Sequence, residues 1–235
     1  MKKLIANAFP ASSCRGWILR GYFCNPVRFN FALLRSVAAT YRLTGRVFPV
    51  CVRVQPGIVF SVSLGKAAKI RIDGVFTVTE WGGSRASSSL SVGSNASLIV
   101  QGDFEIGPDV HISVSADAEL VLGGRKNSSG SGITCDSRIM AAKRIHIGAD
   151  TIIAWGVFIT DSDWHKIEGA CREEEVVIGE HVWIAHDASV LKGAFIPQNS
   201  IVAAKSLVQG KFSSSHLLLA GVPARIVREG IQWER

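Results

Sequence analysis

The sequence contains few cysteines, and no two of them stand at the short spacing of a C-x-x-C motif. The five cysteines lie far apart and are odd in number: Cys14, Cys24, Cys51, Cys135 and Cys171. Disulfide frameworks and structural zinc sites both need cysteines at paired, regular spacings, so neither is indicated. This usage is typical of a reducing compartment, and we therefore expect a cytoplasmic protein.

Long apolar runs are also missing. No run of about 18 apolar residues occurs without a charge, so the sequence does not predict a helix that spans a membrane. The apolar stretch behind Lys2 and Lys3 is broken at Asn7 and Pro10. That leaves it too short for the hydrophobic core of a signal peptide.

The charge of the chain gives little indication of a polyanionic partner. The 26 Lys and Arg residues exceed the 19 acidic residues and give a formal charge of +7, but they are spread along the sequence. A nucleic-acid-binding surface usually combines a basic stripe with interleaved aromatic residues, which this sequence lacks, so no nucleic-acid partner is expected. Only the N-terminal region and roughly the last 25 residues carry enough basic residues to meet an anionic ligand.

The C-terminal half contains a six-residue repeat. Aliphatic residues recur at this spacing at Ile178, Ile184, Val190, Ile196, Val202 and Val208. Small or β-branched residues follow four positions later at Val182, Ala188, Ala194, Ser200 and Ser206. The same spacing of six and four residues recurs earlier, at Ile147, Ile153 and Ile159 with Thr151, Val157 and Asp163. It recurs more loosely at Val100, Ile106 and Ile112 with Phe104, Val110 and Ala116.

A six-residue period fits neither a helix nor the simple alternation of a strand. It fits a short strand followed by a tight corner, which is the pattern of hexapeptide β-helices. Three such steps would close one triangular coil, and stacked coils would bury the aliphatic residues of successive layers. We therefore predict an all-β fold, a parallel β-helix over residues 47–210, with Gly148, Gly179 and Gly193 at corners. Residues 84–97 and 123–132 are rich in Ser and Gly and are predicted as loops.

The first 46 residues follow a different pattern, which predicts an amphipathic helix over residues 26–46 in an N-terminal extension. The apolar positions are Phe31, Leu34, Ala38 and Tyr41, and the basic positions on another face are Arg28, Arg35 and Arg42. Two interpretations stay open, a cap over the open end of the β-helix and an interfacial helix resting on anionic lipid at the inner face of the membrane. Residues 211–235 are predicted as a tail with a short helix.

The repeat stops at one place, where residues 159–169 read ITDSDWHKIEG. The aliphatic residue due six positions after Ile159 falls on His165, and the period resumes only at Ile178. Residues 166–177 must therefore leave the coil as a loop, and loops held by rigid elements often carry chemistry. Asp163 would occupy the small inward position of its step, where a carboxylate is unusual.

A resemblance to a known family rests on the segment VVIGEHVWIAHDASVLKGAFIPQNSIVAAKSLVQG, followed by LLLAGVPARIVREG. These stretches resemble the left-handed β-helix hexapeptide-repeat acyltransferases, in particular the sugar O-acetyltransferases of cell-surface polysaccharide pathways. The resemblance covers residues 144–230, and its most specific parts are IGEHVWIA and AGVPARIVR. It implies a left-handed β-helix with its catalytic part at 144–210, a homotrimer, and transfer of acetyl from acetyl-CoA to a sugar or glycan hydroxyl, with no metal ion.

The resemblance identifies His165 as the general base, because related enzymes place their catalytic histidine in a similar Asp- and aromatic-containing string. An imidazole is suited to remove a hydroxyl proton while the oxygen attacks a thioester carbonyl. A carboxylate would fix its tautomer, and Asp163 and Asp161 are the candidates. Asp161 would alternatively bind an acceptor hydroxyl, and Trp164 would stack against a sugar ring.

The resemblance also implies that acetyl-CoA lies in a groove between neighbouring subunits. The residues that match cofactor positions are Ala185, His186, Ala204, Lys205, Lys211 and Arg225. The first four match positions along the pantetheine arm, and the last two would serve the nucleotide phosphates. His186 and Lys205 are bulkier than the residues that the family usually has there.

Two interpretations from other classes remain open at the level of sequence. The first is a β-helical scaffold or binding protein without activity. The second is a metalloenzyme of the β-helical carbonic anhydrase type, because His181 and His186 stand five residues apart. That second interpretation needs a third histidine in register, which the sequence does not clearly supply.

Overall fold

The computed structural model describes residues 17–19, 22, 26–128, 130–166, 168, 169 and 172–235. In these residues an α-helix, α1 (Pro26–Thr44), precedes 22 short strands. The strands follow one another around three sheets, which we name A, B and C. We name the turns between them the A–B, B–C and C–A corners.

Each sheet collects every third strand of the stack. Sheet A contains β1 (Val52–Val54), β4 (Phe76–Val78), β7 (Phe104–Ile106), β10 (Gly132–Ile133), β13 (Ile152–Ile153), β16 (Trp183–Ile184), β19 (Ile201–Val202), β21 (Leu218–Gly221) and β22 (Ala224–Arg228). Sheet B contains β2 (Phe60–Leu64), β5 (Ser88–Val92), β8 (His111–Val114), β11 (Arg138–Ala141), β14 (Phe158–Thr160), β17 (Ser189–Val190) and β20 (Leu207–Val208). Sheet C contains β3 (Lys69–Ile72), β6 (Ser97–Gln101), β9 (Glu119–Gly123), β12 (Arg144–Ile147), β15 (Val176–Ile178) and β18 (Phe195–Ile196).

The strands pair in parallel between successive coils, so each coil places its inward side chains directly over those of the coil before. Ile159 of β14 stands opposite Val190 of β17, for example, and Ile178 of β15 stands opposite Ile196 of β18. Parallel pairing with every third strand is the topology of a β-helix. The predicted fold class is therefore confirmed.

The six-residue repeat builds the core as predicted. Ile178, Ile184, Val190, Ile196, Val202 and Val208 are all fully buried, and so are their small companions. One inward position predicted for the earlier, looser repeat is wrong, because Ala116 is exposed. In that coil β8 continues to Val114, which is buried, so the inward register moves by two residues. Residues 88–92, predicted as part of a loop, form strand β5 with Leu90 inward.

The corners impose two different demands on the backbone. The residue three positions after an inward aliphatic residue usually adopts a positive φ, as in Asp187 (57°) and Gly193 (75°). Gly148 and Gly179 are required for a steric reason, because a Cβ on either one would lie 2.5 Å from the backbone of the following coil. Close stacking of coils at the C–A corner therefore requires glycine there.

Helix α1 covers the open end of the stack, and it contacts all three strands of the first coil. The hydroxyl of Ser36 accepts the N–H of Val54 (2.9 Å), and that of Thr40 accepts the N–H of Val52 (3.1 Å). These bonds satisfy edge groups of β1 that have no strand to pair with. The capping role is thus present, but the face that docks is not the predicted apolar stripe.

The predicted C-terminal helix is wrong. Residues 218–228 form an antiparallel hairpin of β21 and β22, in which Leu219 pairs with Ile226. Strand β21 continues sheet A beside β19, Pro223 in the turn has no N–H for a helix, and β-branched Ile226 and Val227 favour extended structure. The tail then folds back, where the Trp233 ring stacks on His181 at 4.1 Å between centroids. No helix in the described part of the chain is long and apolar enough to cross a membrane.

Glu105 on sheet A provides a test of the fold by pH. Burial raises the pKa of its carboxyl above the ordinary 4.5, and a hydrogen bond from Thr79 offsets only part of that rise. A folded-state pKa above the unfolded one means that stability is fully present below the unfolded pKa and is lost as Glu105 ionises. We expect Glu105→Gln to raise the melting temperature by a few degrees at neutral pH and by nothing at about pH 4. Glu168→Gln, an exposed control, should change neither value, and a gain that persists in acid would contradict this account.

Candidate active site

The loop between β14 and β15 carries the histidine that interrupts the repeat. It leaves the coil at the B–C corner, and its two arms pair antiparallel at Ser162 and Glu173. The Asp163 N–H donates to the carbonyl of Arg172 (3.1 Å), and the Glu174 N–H donates to that of Asp161 (3.0 Å). The predicted departure from the coil is therefore confirmed, but its bounds differ from 166–177, because β14 ends at Thr160 and β15 begins at Val176. The arms of the loop are fixed at its base.

Asp161 lies inside the structure at the root of this loop. Its carboxylate is fully buried and accepts the backbone N–H groups of Ala142 (2.6 Å), Lys143 (2.9 Å) and Arg144 (2.6 Å). Ala142 and Lys143 make the B–C corner of the preceding coil, and Arg144 begins β12, so Asp161 joins the loop to that coil. The prediction that Asp163 fills the inward position is wrong, because the three N–H groups draw the earlier carboxylate inward instead.

Asp163 points the other way along the stack. Its carboxylate forms an ion pair with the Lys192 ammonium (2.5 Å), whose side chain is only 20% exposed. Lys192 belongs to the B–C corner of the next coil, and the neighbouring Gly193 N–H donates to the carbonyl of Glu174 (3.3 Å). The loop is therefore held from both sides, by Asp161 to the coil before it and by Asp163 to the coil after it.

The ion pair gives a test of how the loop is held. Replacing Lys192 by Met should free one side of the loop, and trypsin should then cleave after Lys166 or Arg172 several-fold faster. Cleavage sites mapped by mass spectrometry measure this. Lys69→Met removes an exposed lysine of the first coil and should leave the cleavage rate unchanged. Equal rates for the two variants would show that the ion pair does not hold the loop.

Trp164 and His165 occupy the outer part of the loop. Trp164 has a positive φ of 61°, its N–H donates to the Ser162 hydroxyl (3.0 Å), and its indole N–H donates to the Thr160 hydroxyl (3.2 Å). The indole is thereby held half-buried against the base of the loop. His165 is exposed, and within the described residues its imidazole has no hydrogen bond or ion pair. The predicted carboxylate partner is not brought to it, because Asp161 and Asp163 are engaged elsewhere.

Four of the six predicted cofactor residues share one edge, the A–B corner. Ala185 is buried, its N–H donates to the carbonyl of Val202 (2.9 Å), and Ala204 and Lys205 are exposed one coil further on. The Lys205 N–H donates to the carbonyl of His186 (3.0 Å). This corner therefore offers a small-residue surface with an exposed ammonium at its side.

Sequence reasoning missed Trp155 at this corner. Its ring stacks on the His186 imidazole, with centroids 5.4 Å apart and planes within 15°. Trp155, His186 and Ala204 each stand two residues after an inward aliphatic residue, so the repeat itself places them in one column. Trp155 remains 47% exposed and could therefore form a flat apolar wall beside a ligand.

Lys211 lies apart from these four, whereas Arg225 lies at the same end of sheet A, because it pairs with Ala220, which follows the register partner of Val202. Lys211 follows β20 and bridges to Phe195 of sheet C, and Arg225 lies in the hairpin, where its guanidinium donates to the carbonyl of Ala224 (3.1 Å). His165 and the A–B corner stand on opposite edges of sheet B. One side of the prism takes about six residues, so a single chain separates them by up to about 20 Å.

The pair of histidines that suggested a metal centre is divided between two corners. His181 lies at the C–A corner, where it contacts the Asp150 carboxylate (2.7 Å) and the carbonyl of Trp233 (3.2 Å). His186 lies at the A–B corner beneath Trp155. The two imidazoles therefore have separate partners and do not face a common point.

Two other reactive groups have shifted pKa values. Burial and the neighbouring Asp136 raise the pKa of the Cys135 thiol to about 11, which leaves it protonated and unsuited to carry an acyl group. Burial and Arg144 lower the pKa of His146 on sheet C, so this imidazole is neutral near pH 7. Neither residue belongs to the loop or to the A–B corner.

Comparison with known proteins finds relatives that are named as O-acetyltransferases. No protein-family model matches the chain. The Escherichia coli K12 protein WbbJ, provisionally named a lipopolysaccharide biosynthesis O-acetyl transferase, is 31% identical over 105 residues, which are 39% of this chain and 53% of that protein. A polysialic acid O-acetyltransferase of Neisseria meningitidis is 31% identical over 149 residues, which are 61% of this chain and 67% of that enzyme. The chain thus spans about half to two thirds of these curated relatives.

A solved structure extends the likeness to the fold. The polysialic acid O-acetyltransferase OatWY matches with a TM-score of 0.50 and 24% identity, covering 75% of this chain and 92% of that one. At this identity the match supports the fold alone, which is a left-handed β-helix. This handedness agrees with the one that the family resemblance implies.

Proposed function

Because the chain belongs to the hexapeptide-repeat O-acetyltransferases, we propose that it transfers an acetyl group from acetyl-CoA to a hydroxyl of a sugar or glycan in a cell-surface polysaccharide pathway. The observation that carries the proposal is His165, an exposed imidazole on a loop that rigid coils hold from both sides. The class of acceptor rests on the names of the relatives, which act in lipopolysaccharide biosynthesis or on polysialic acid.

In the proposed reaction His165 removes the proton from an acceptor hydroxyl. The oxygen attacks the thioester carbonyl directly, a C–O bond forms, the C–S bond breaks, and the proton passes to the CoA thiolate. Positioned proton transfer of this kind contributes about 10²- to 10⁴-fold to a rate. Trp164 beside His165 would offer a sugar ring an apolar face.

Acetyl-CoA would lie along the A–B corner. Ala185 and Ala204 leave room for a narrow pantetheine chain, and the stacked rings of Trp155 and His186 would line its side. Lys205 would border the pantetheine chain, and Arg225 would meet the nucleotide phosphates. Lys211, next to the B–C corner, would reach those phosphates from the neighbouring subunit.

The separation of the two edges leads us to propose a homotrimer. In a closed ring of three prisms, the B–C corner of one subunit would stand beside the A–B corner of the next. His165 of one chain would then face the acetyl-CoA that its neighbour holds. The site would be complete only between subunits.

A direct test of the reaction measures CoA thiol release by purified protein with acetyl-CoA and a panel of sugars and oligosaccharides. Release that depends on the acceptor, with acetylated product seen by mass spectrometry, is the expected result. Protein that neither transfers nor hydrolyses the acetyl group with any acceptor would favour the non-catalytic scaffold instead.

A shared site is tested by mixing two inactive chains. Chains with His165→Ala and chains with Ala204→Trp, which fills the A–B corner, should each be inactive as pure oligomers. Oligomers assembled from equal amounts of both should recover about a quarter of the parent activity, because one interface in four combines the two intact halves. Mixtures that stay inactive would place both halves of the site in one chain.

A further inference from the structure

Helix α1 exposes its large apolar side chains to solvent. Val27, Phe31, Leu34 and Tyr41 are 68%, 67%, 67% and 60% exposed. They follow one another at spacings of four, three and seven residues, so they form one stripe along the helix. Apolar residues scattered singly on a surface need no explanation, but a continuous stripe of this kind indicates an interaction surface.

The stripe is not needed to hold the helix in place. The opposite face meets the β-helix through the hydroxyls of Ser36 and Thr40, and through Phe29, Ala32 and Leu43, which are all buried. Because the helix lies across the end of the stack, its outer face points away from the coils.

The N-terminal part of the chain, which includes α1, carries charge of one sign. Residues 1–72 contain twelve Lys and Arg residues and no Asp or Glu, whereas residues 73–235 contain fourteen basic and nineteen acidic residues. The whole positive excess of the chain therefore belongs to its N-terminal part. The first acidic residue in the sequence is Asp73, at the end of the first coil.

Arginines border grooves beside the stripe. One groove, between α1 and β2, is lined by Arg35, Arg42, Ala38 and Val59. A second is lined by Arg28, Arg35, Phe31 and Arg85, of which Arg85 is paired with Glu80. Each groove combines an apolar wall with guanidinium groups at its rim. That combination suits a phosphate headgroup with the start of its acyl chain.

We propose that the outer face of α1, with Phe31, Leu34 and Tyr41 as its apolar anchors and Arg42 and Arg46 at its margin, docks on the surface of a membrane that contains anionic phospholipid. Amphipathic helices bind such surfaces by burying an apolar face while basic residues meet the headgroups. A second copy of the chain is a poorer partner, because face-to-face contact would bring two predominantly basic surfaces together. The inference does not depend on the acetyl-transfer reaction.

Flotation of the full chain with lipid vesicles tests this. Protein should float with vesicles of phosphatidylcholine and phosphatidylglycerol at least about tenfold more than with phosphatidylcholine alone, and raised salt should reduce the difference. The triple variant Phe31→Ser, Leu34→Ser, Tyr41→Ser and the double variant Arg42→Gln, Arg46→Gln should each lose most of this binding. Val227→Ser, which changes a 63% exposed residue of the hairpin, is the matched control and should float like the parent.

The outcomes are separable. All the substituted side chains are exposed, so melting temperatures should stay near the parent value, and that measurement shows whether a variant is folded. Absence of binding to anionic vesicles, or equal binding by parent and triple variant, overturns the proposal. A parent oligomer that the triple variant splits in light scattering, without vesicle binding, also overturns it and assigns the stripe to a second copy.

Discussion

Replacing His165 by alanine is expected to lower kcat for acetyl transfer by about 10²- to 10⁴-fold, because it removes the group that takes the hydroxyl proton. The melting temperature should stay at the parent value. His165 is exposed and makes no polar contact among the described residues, so its loss leaves no buried partner unsatisfied. An activity loss without a stability loss is the result that marks a chemical role.

The control for this variant is His146→Ala. His146 lies on the outer side of sheet C, in β12, and belongs to neither the loop nor the A–B corner. Its replacement should leave kcat within a few-fold of the parent. If His165→Ala transfers acetyl near the parent rate while the protein stays folded, another group acts as the base.

Replacing Asp161 by asparagine is expected to destabilise the fold by roughly 3–5 kcal/mol, since a buried carboxylate that accepts three N–H groups becomes an amide that can accept through one oxygen only. The amide NH₂ would also face backbone donors. For a chain of this size the melting temperature should fall by on the order of 10 °C. Thermal unfolding followed by circular dichroism measures this, and activity should fall with the folded fraction.

Asp117→Asn is the matched substitution at an exposed corner. Asp117 accepts a hydrogen bond from the Asn95 amide at the surface (3.2 Å), and its positive φ of 61° is one that asparagine tolerates. It should change stability by less than about 1 kcal/mol. Equal melting temperatures for the two variants would mean that the hydrogen bonds of Asp161 do not stabilise the attachment of the loop to the preceding coil.

The two predictions assign the Asp161 carboxylate to structure and the His165 imidazole to chemistry. That division could not be made from the sequence. Spacing correctly located the break in the repeat, because an inward position must be filled and His165 does not fill it. Spacing placed the wrong carboxylate, Asp163, at the inward position, since the choice depends on three N–H groups of a different coil, at residues 142–144, that need an acceptor.

The regular coils were the predictable part of the fold for a physical reason. Each inward position sees the same environment, made by the coil before and the coil after, so the same residue type recurs and the period becomes visible. The ends of the stack lack one neighbour and lose that regularity. Helix α1 was predicted, but its docked face was not, because Ser36 and Thr40 meet unpaired edge groups of β1 that no periodicity records.

The prediction of a helix at the C-terminal end was wrong for the same reason. The hairpin of β21 and β22 adds to sheet A beside β19, so its conformation follows from an available strand edge and less from local preference. The A–B corner is more predictable than the ends of the stack and less predictable than the regular coils. The repeat places Trp155 and His186 in one column, and that placement can be read from the sequence once the strand positions are known.

The number of coils also sets the distance between α1 and His165. Four parallel steps separate β2, in the coil that α1 covers, from β14, which leads into the loop of His165. Strands in neighbouring coils are about 4.8 Å apart, so the steps add up to about 20 Å, and the helix itself adds about 10 Å. With α1 lying on a bilayer and the stack upright, His165 would work some 30 Å above the lipid. A lipid-linked glycan would then be acetylated on sugars remote from its anchor, and inserting one coil would move that point by about 5 Å.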